Sequence, residues 1–108
     1  ALRRTSARAT AGGPGAAALE ALARGDRREA LRLGLEGLRG DRADADALRA
    51  LARVDLECAL EADRAAGPRA ALCSRADAYL TWAFERDPTN PVLLMELAVA
   101  RAVGGAEA

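Results

Sequence analysis

The sequence predicts an all-α protein, and three observations carry the prediction. Alanine and leucine dominate, while strand-favouring residues are scarce: four Val, no Ile, and one each of Tyr, Trp and Phe in 108 residues. Apolar residues recur at three- and four-residue spacing along most of the chain. Between these stretches stand helix stops and starts, the clearest being Ala83-Phe84-Glu85-Arg86-Asp87-Pro88-Thr89-Asn90-Pro91. Pro88 ends a helix at Asp87, because proline pushes its predecessor out of the helical region and offers no N–H. Asn90 can cap the next helix, and Pro91 suits the first helical position, where the missing N–H would have had no partner. About five helices are expected in one domain over residues 17–104, after an extended arm over residues 1–16 and before a short disordered tail, residues 105–108.

The arm contains Arg3, Arg4 and Arg8, and no acid precedes Glu20. Its Ala, Ser, Thr and Gly can bury little. Three readings stay open: a flexible tail, an arm lying on a neighbouring subunit, or a segment of transit-peptide composition. The compartment is therefore left undetermined between cytoplasm and organelle lumen.

A first helix from about Gly15 to Arg24 would turn Leu19 and Leu22 inward, and Gly25 would end it. Asp26 and Glu29 form an Asp-x-x-Glu capping box for a second helix over about Arg27 to Arg39. Its inward residues are expected to be Ala30, Leu31, Leu35 and Leu38, with Gly34 and Gly37 marking a tight crossing. A third helix, about Asp44 to Ala65, would bury Leu48, Leu51, Ala52, Leu56, Ala59 and Leu60, with Arg49, Arg53, Glu57 and Glu61 as a charged stripe. Gly67-Pro68 breaks it. A fourth, about Pro68 to Arg86, would bury Leu72, Ala76, Leu80, Ala83 and Phe84, with Tyr79 and Trp82 on its flanks. The fifth runs from Pro91 to about Val103, with Val92, Met95 and Val99 on one side and Leu93 and Leu97 on another, before Gly104-Gly105. A helix apolar over so much of its circumference must meet more than one neighbour.

Composition also excludes chemistry. The sixteen basic residues are all Arg and are balanced by sixteen acids, so no strongly basic surface steers the chain toward nucleic acid. His and Lys, the commonest general base and amine nucleophile, are absent. Cys58 and Cys73 have no metal-ligand spacing and no His partner; they are expected as small buried helix residues, with a disulfide between neighbouring helices as the alternative. Asp41, Asp44 and Asp46 cluster where the third helix starts, a position explained by capping and the helix dipole. No apolar run approaches the roughly 20 residues of a membrane span. No catalytic residue, metal site or cofactor is expected.

Two stretches resemble tetratricopeptide repeats, helix–turn–helix units that stack into a curved array. Gly25-Asp26-Arg27-Arg28-Glu29-Ala30-Leu31 followed by Leu38 is similar to the turn into a repeat's second helix, and Ala83-Phe84 before Asp87-Pro88-Thr89-Asn90-Pro91 is similar to a repeat's end. Leu48, Leu51 and Ala52 fit first-helix positions; Asp55 stands where the family usually has tyrosine, and the middle hairpin is roughly 12 residues too long. The resemblance implies a degenerate array of antiparallel helical hairpins; a closed five-helix bundle is the alternative arrangement. It further implies that the first helices of the hairpins line a concave surface holding a partner segment, with groove positions at Arg49, Arg53, Leu56, Leu93, Leu97 and Arg101. Leu97 would be an apolar floor between Arg53 and Arg101. The function expected is a protein-interaction or scaffolding module, the alternative a small structural subunit of a larger assembly anchored by the arm.

Overall fold

The computed structural model describes residues 13–41, 44–62 and 67–105, and among them it holds five helices and no strand. These are α1 (Pro14–Ala23), α2 (Arg27–Gly40), α3 (Ala45–Glu61), α4 (Gly67–Arg86) and α5 (Pro91–Gly104). The arm before residue 13, the expected continuation of the third helix over 63–66, and the tail from 106 lie outside the described residues. Pro14 takes the first helical position after Gly13, whose φ of 87° is left-handed. Residues 14–16 therefore belong to α1 and not to the arm.

The caps predicted at Asp26 and Asn90 form, and α3 is capped by Asp44 rather than by the expected Asp41, which instead ends α2. The carboxylate of Asp26 accepts from the Glu29 N–H at 3.1 Å, that of Asp44 from the Ala47 N–H at 3.2 Å, and the Asn90 side chain from the Val92 N–H at 3.0 Å. The capping box is only half made, because Glu29 takes Arg32 in a two-pronged pair at 2.9 and 2.6 Å and the Asp26 N–H donates instead to the Ala21 carbonyl. At the corner after α4 the Asp87 N–H reaches the Ala83 carbonyl at 3.0 Å, and the Asn90 N–H reaches that of Asp87 at 3.2 Å.

Every helix touches its neighbours in sequence; beyond these, α1 touches α3 and α3 touches α5. Neither α1 nor α2 reaches α4 or α5, so among the described residues the helices do not close into a bundle. Their directions follow from named contacts. Arg27 at the start of α2 meets Glu61 at the end of α3 at 3.0 Å, and Gly104 at the end of α5 backs onto Cys73 near the start of α4, so each pair is antiparallel. Gly15 lies against Asp44 and Ala47, and Arg49 meets Glu96, so α1, α3 and α5 run the same way.

α3 is the shared wall. One side joins Leu48, Ala52, Leu56 and Ala59 to Leu80, Ala83, Leu93, Leu97 and Ala100 of α4 and α5. The other joins Ala50 and Val54 to Ala18, Ala21, Leu22 and Ala30 of α1 and α2. Leu80 is fully buried as expected, and Phe84, Leu72 and Tyr79 pack at the margin of the larger cluster.

Three inward assignments, Leu31, Leu35 and Leu60, need correction. Leu31 and Leu35 are exposed because α2 presents Ala30, Gly34 and Gly37 to its neighbours; a Cβ on Gly34 would stand 2.9 Å from Leu51. The glycines let the backbones approach, and the leucines one position along are turned about 100° away. Leu60 follows buried Ala59 but is turned about 100° away from it, out of the core; Trp82, expected on a flank, faces outward from α4. Neither cysteine forms a disulfide; Cys73 is buried and Cys58 partly so, with the Arg27 guanidinium at 3.9 Å from its sulfur.

Candidate partner-binding surface

Because α3 and α5 run side by side in the same direction and touch at few points, a cleft opens between them. It holds about 190 Å³ and is lined by Arg53, Leu56, Glu57, Leu60, Glu96 and Val99. Leu56 is its buried floor, while Leu60 and Val99 are 57% and 46% exposed on its walls. The rim is charged. Arg49 Nε donates to Glu96 Oε1 at 2.8 Å, and both side chains are mostly covered, which ties α3 to α5. Arg53 is held more loosely, 3.9 Å from Glu57, which also faces Arg27 at 3.7 Å.

The six sequence-predicted groove residues do not form one surface. Arg53 and Leu56 line the cleft, and Arg49 braces it through Glu96. Leu93, 1% exposed, and Leu97 are core residues between α3, α4 and α5 and offer no floor to a ligand. Arg101 lies on the opposite flank of α5 from Glu96. Its Nε donates to Asp77 Oδ2 of α4 at 2.8 Å, so the expected pairing of Arg53 and Arg101 as two posts about Leu97 is not made. Helical geometry accounts for the split, since positions 96 and 101 are five residues, or about 140°, apart round the helix. The guanidinium of Arg101 holds the Asp77 carboxyl below the usual carboxylate range, burial opposing and the Thr81 hydroxyl at 3.1 Å assisting.

Leu60, Val99, Glu57 and Glu96 are what the sequence reading left out of the site. Leu60 follows Leu56 by one turn and Val99 follows Glu96 by nearly one, so the periodicity that buries Leu56 carries its exposed neighbours to the cleft. Glu96 is the one acid in α5, and that was the available signal for a bridge to α3.

A second, more open cleft of about 510 Å³ between α4 and α5 is lined by Cys73, Ser74, Asp77, Ala100, Arg101 and Gly104, among others. Its charged lining residues, Asp77 and Arg101, pair with one another. Outside that cleft, buried Asp55 of α3 receives both arms of Arg75 of α4, at 2.8 and 2.7 Å, and Asp55 pushes that guanidinium above its ordinary value, first by hydrogen bonding and then by charge. No grouping of three or more Cys, Asp and Glu able to hold a metal occurs among the described residues, and none of their helices is long and apolar enough to cross a membrane. No family model matches the chain, and neither a curated protein nor a solved structure matches it significantly.

Proposed function

We propose that the chain is a non-catalytic protein-interaction module, arranged as a degenerate tetratricopeptide-like array, that holds a segment of another protein in the cleft between α3 and α5. The observation that carries this reading is the cleft: a buried apolar floor at Leu56, exposed apolar walls at Leu60 and Val99, and a charged rim. Such a site suits one apolar anchor side chain flanked by a carboxylate, which Arg53 is free to take up because its pairing with Glu57 is long. The array reading is supported by contacts confined to adjacent helices and α1–α3–α5, and by a shape 52 Å long and 21 Å thin.

The test is affinity capture from native extract with parent chain and two variants. Leu60→Glu and Arg53→Glu change exposed side chains and leave the core alone, yet each is expected to weaken a cleft-bound partner by about tenfold or more. Leu31→Glu, on the far side of α2, should bind as the parent does. A partner retained equally by both cleft variants would remove the cleft from consideration.

A further inference from the structure

Helices α3 and α5 hold matching places against the helices that precede them, each α5 residue standing 46 positions after its α3 counterpart. Cys58 of α3 lies against Arg27 at the start of α2, and its counterpart Gly104 lies against Cys73 near the start of α4. Leu51 packs on Gly34 of α2, and its counterpart Leu97 is buried in the cluster that α5 shares with α4. The match fails on the side turned to the helix that follows. Leu48, Ala52 and Ala59 of α3 are fully buried in the cluster with α4, whereas their counterparts Leu94, Ala98 and Gly105 are exposed, Leu94 by 52%. Among the described residues, α5 thus presents the face on which α3 carries α4, with no helix seated on it. Met95 and Val99 match Arg49 and Arg53, which α3 turns toward α5, so these two adjoin that face rather than form it.

Charge says what kind of helix fits. On α3 the face carries Asp55, which receives Arg75 of α4; the counterpart of Asp55 on α5 is Arg101, so the charge that an incoming helix must bring is inverted. Arg101 has room for it: the side chain is 60% exposed, and Asp77 holds it closely through Nε alone, at 2.8 Å against 3.5 Å for the second bond. We propose that this face takes up a helix of another protein, antiparallel to α5 as α4 is to α3. The helix carries a stripe of small and leucine side chains, like Cys73, Ala76, Leu80 and Ala83 of α4, and a carboxylate where α4 has Arg75. A second copy of the chain offers no such helix, since its own α4 is held between α3 and α5. The face is separate from the α3–α5 cleft, whose lining includes none of Leu94, Ala98, Arg101 and Gly105. A helix of 14 residues is about 21 Å long, which keeps the contact below the roughly 1,200 Å² of stable complexes and the binding weak.

The test is titration of the isotopically labelled full chain with a synthetic helix, followed by NMR amide shifts up to about 1 mM of peptide, where contacts this small populate. The probe is the α4 sequence Gly67–Arg86 carrying Cys73→Ala and Arg75→Glu. Shifts should gather at Leu94, Ala98 and Arg101. The same probe with Arg75 kept should bind about tenfold more weakly, and in the Arg101→Glu chain the order of the two probes should reverse, which a merely apolar contact would not produce. An absence of shifts at the highest concentration would overturn the proposal, as would equal affinity for the two probes. So would shifts centred on Arg53 and Leu60, which would move the helix to the α3–α5 cleft, or shifts at Leu94 and Ala98 on concentrating the chain alone, which would give the face to a second copy.

Discussion

Asp55 is the one charged residue buried among those described, 4% exposed, and its two oxygens are both taken by Arg75. Removing Arg75 strands a carboxylate in the core, so Arg75→Ala is expected to cost about 1–3 kcal/mol. Asp55→Leu with Arg75→Leu removes both charges and should recover most of the loss. Chemical denaturation of the single and double variants decides it: a double variant no more stable than Arg75→Ala would mean that the pair is not what Arg75 contributes. The Asp77 pair gives a pH test. Its carboxyl is lowered in the folded chain, so its contribution is complete above the ordinary carboxylate value near pH 4 and fades as the pH drops through the lowered one. Because Arg101 is largely exposed, that contribution is at most about 1 kcal/mol. Asp77→Asn should therefore sit slightly below the parent at neutral pH and converge with it in acid, followed as urea midpoints. Asp55 was visible in the sequence as an acid four residues from both Leu51 and Ala59 on an apolar face. Its partner was not, since any of sixteen arginines could have served until the rotation of α4 was known.

Helix α2 shows how one residue type can carry opposite signs within an element. A Cβ on Gly34 would come within 2.9 Å of the buried Leu51 side chain, and one on Gly37 within 2.9 Å of the Ala47 Cβ, which is fixed to its backbone. Alanine at either site gains about 1 kcal/mol of helix propensity but overpacks the crossing, for an expected net loss of about 1–2 kcal/mol. Gly40, with nothing within 4 Å of the same point, should lose nothing and gain up to about 1 kcal/mol on becoming alanine. Thermal melts of the three variants would expose an error if Gly37→Ala proved as stable as Gly40→Ala. The crossing was legible from the two glycines, as were the caps at Asp26 and Asn90, because these depend on neighbours in sequence; the cap of α3 was expected from Asp41 and is made by Asp44. Which face of a leucine-rich helix turns inward was not. Leu31, Leu35, Leu60 and Met95 obey the same spacing as core leucines, and only the neighbouring helix tells them apart.

The two clusters divided by α3 are unequal. The α1–α2 side is built mainly of Ala18, Ala21, Ala30 and Ala50 with Leu22, Val54 and, against Gly34, Leu51, whereas the other side buries Leu48, Leu56, Leu80, Leu93 and Leu97. Since a buried leucine contributes about 1.5–3 kcal/mol and an alanine methyl much less, the amides of α1 and α2 should exchange with solvent through a lower-energy opening than those of α3 and α4. Native-state hydrogen exchange reads this helix by helix, and a single uniform opening energy across all five would contradict it. At this scale the sequence showed five helices and short corners, but open stacking and the closed bundle differ only in contacts between distant helices, which local pattern does not encode. The neighbour-only contacts bear on how the chain would carry a load. Among the described residues no contact runs from α1 or α2 to α4 or α5 to take the strain for all, so extension of this helical part should peel helices away in succession, the α1–α2 side first, with α3 freed only after one flank has gone. The same residues folded into a closed bundle would resist and then yield in one event; here the chain would lengthen by instalments.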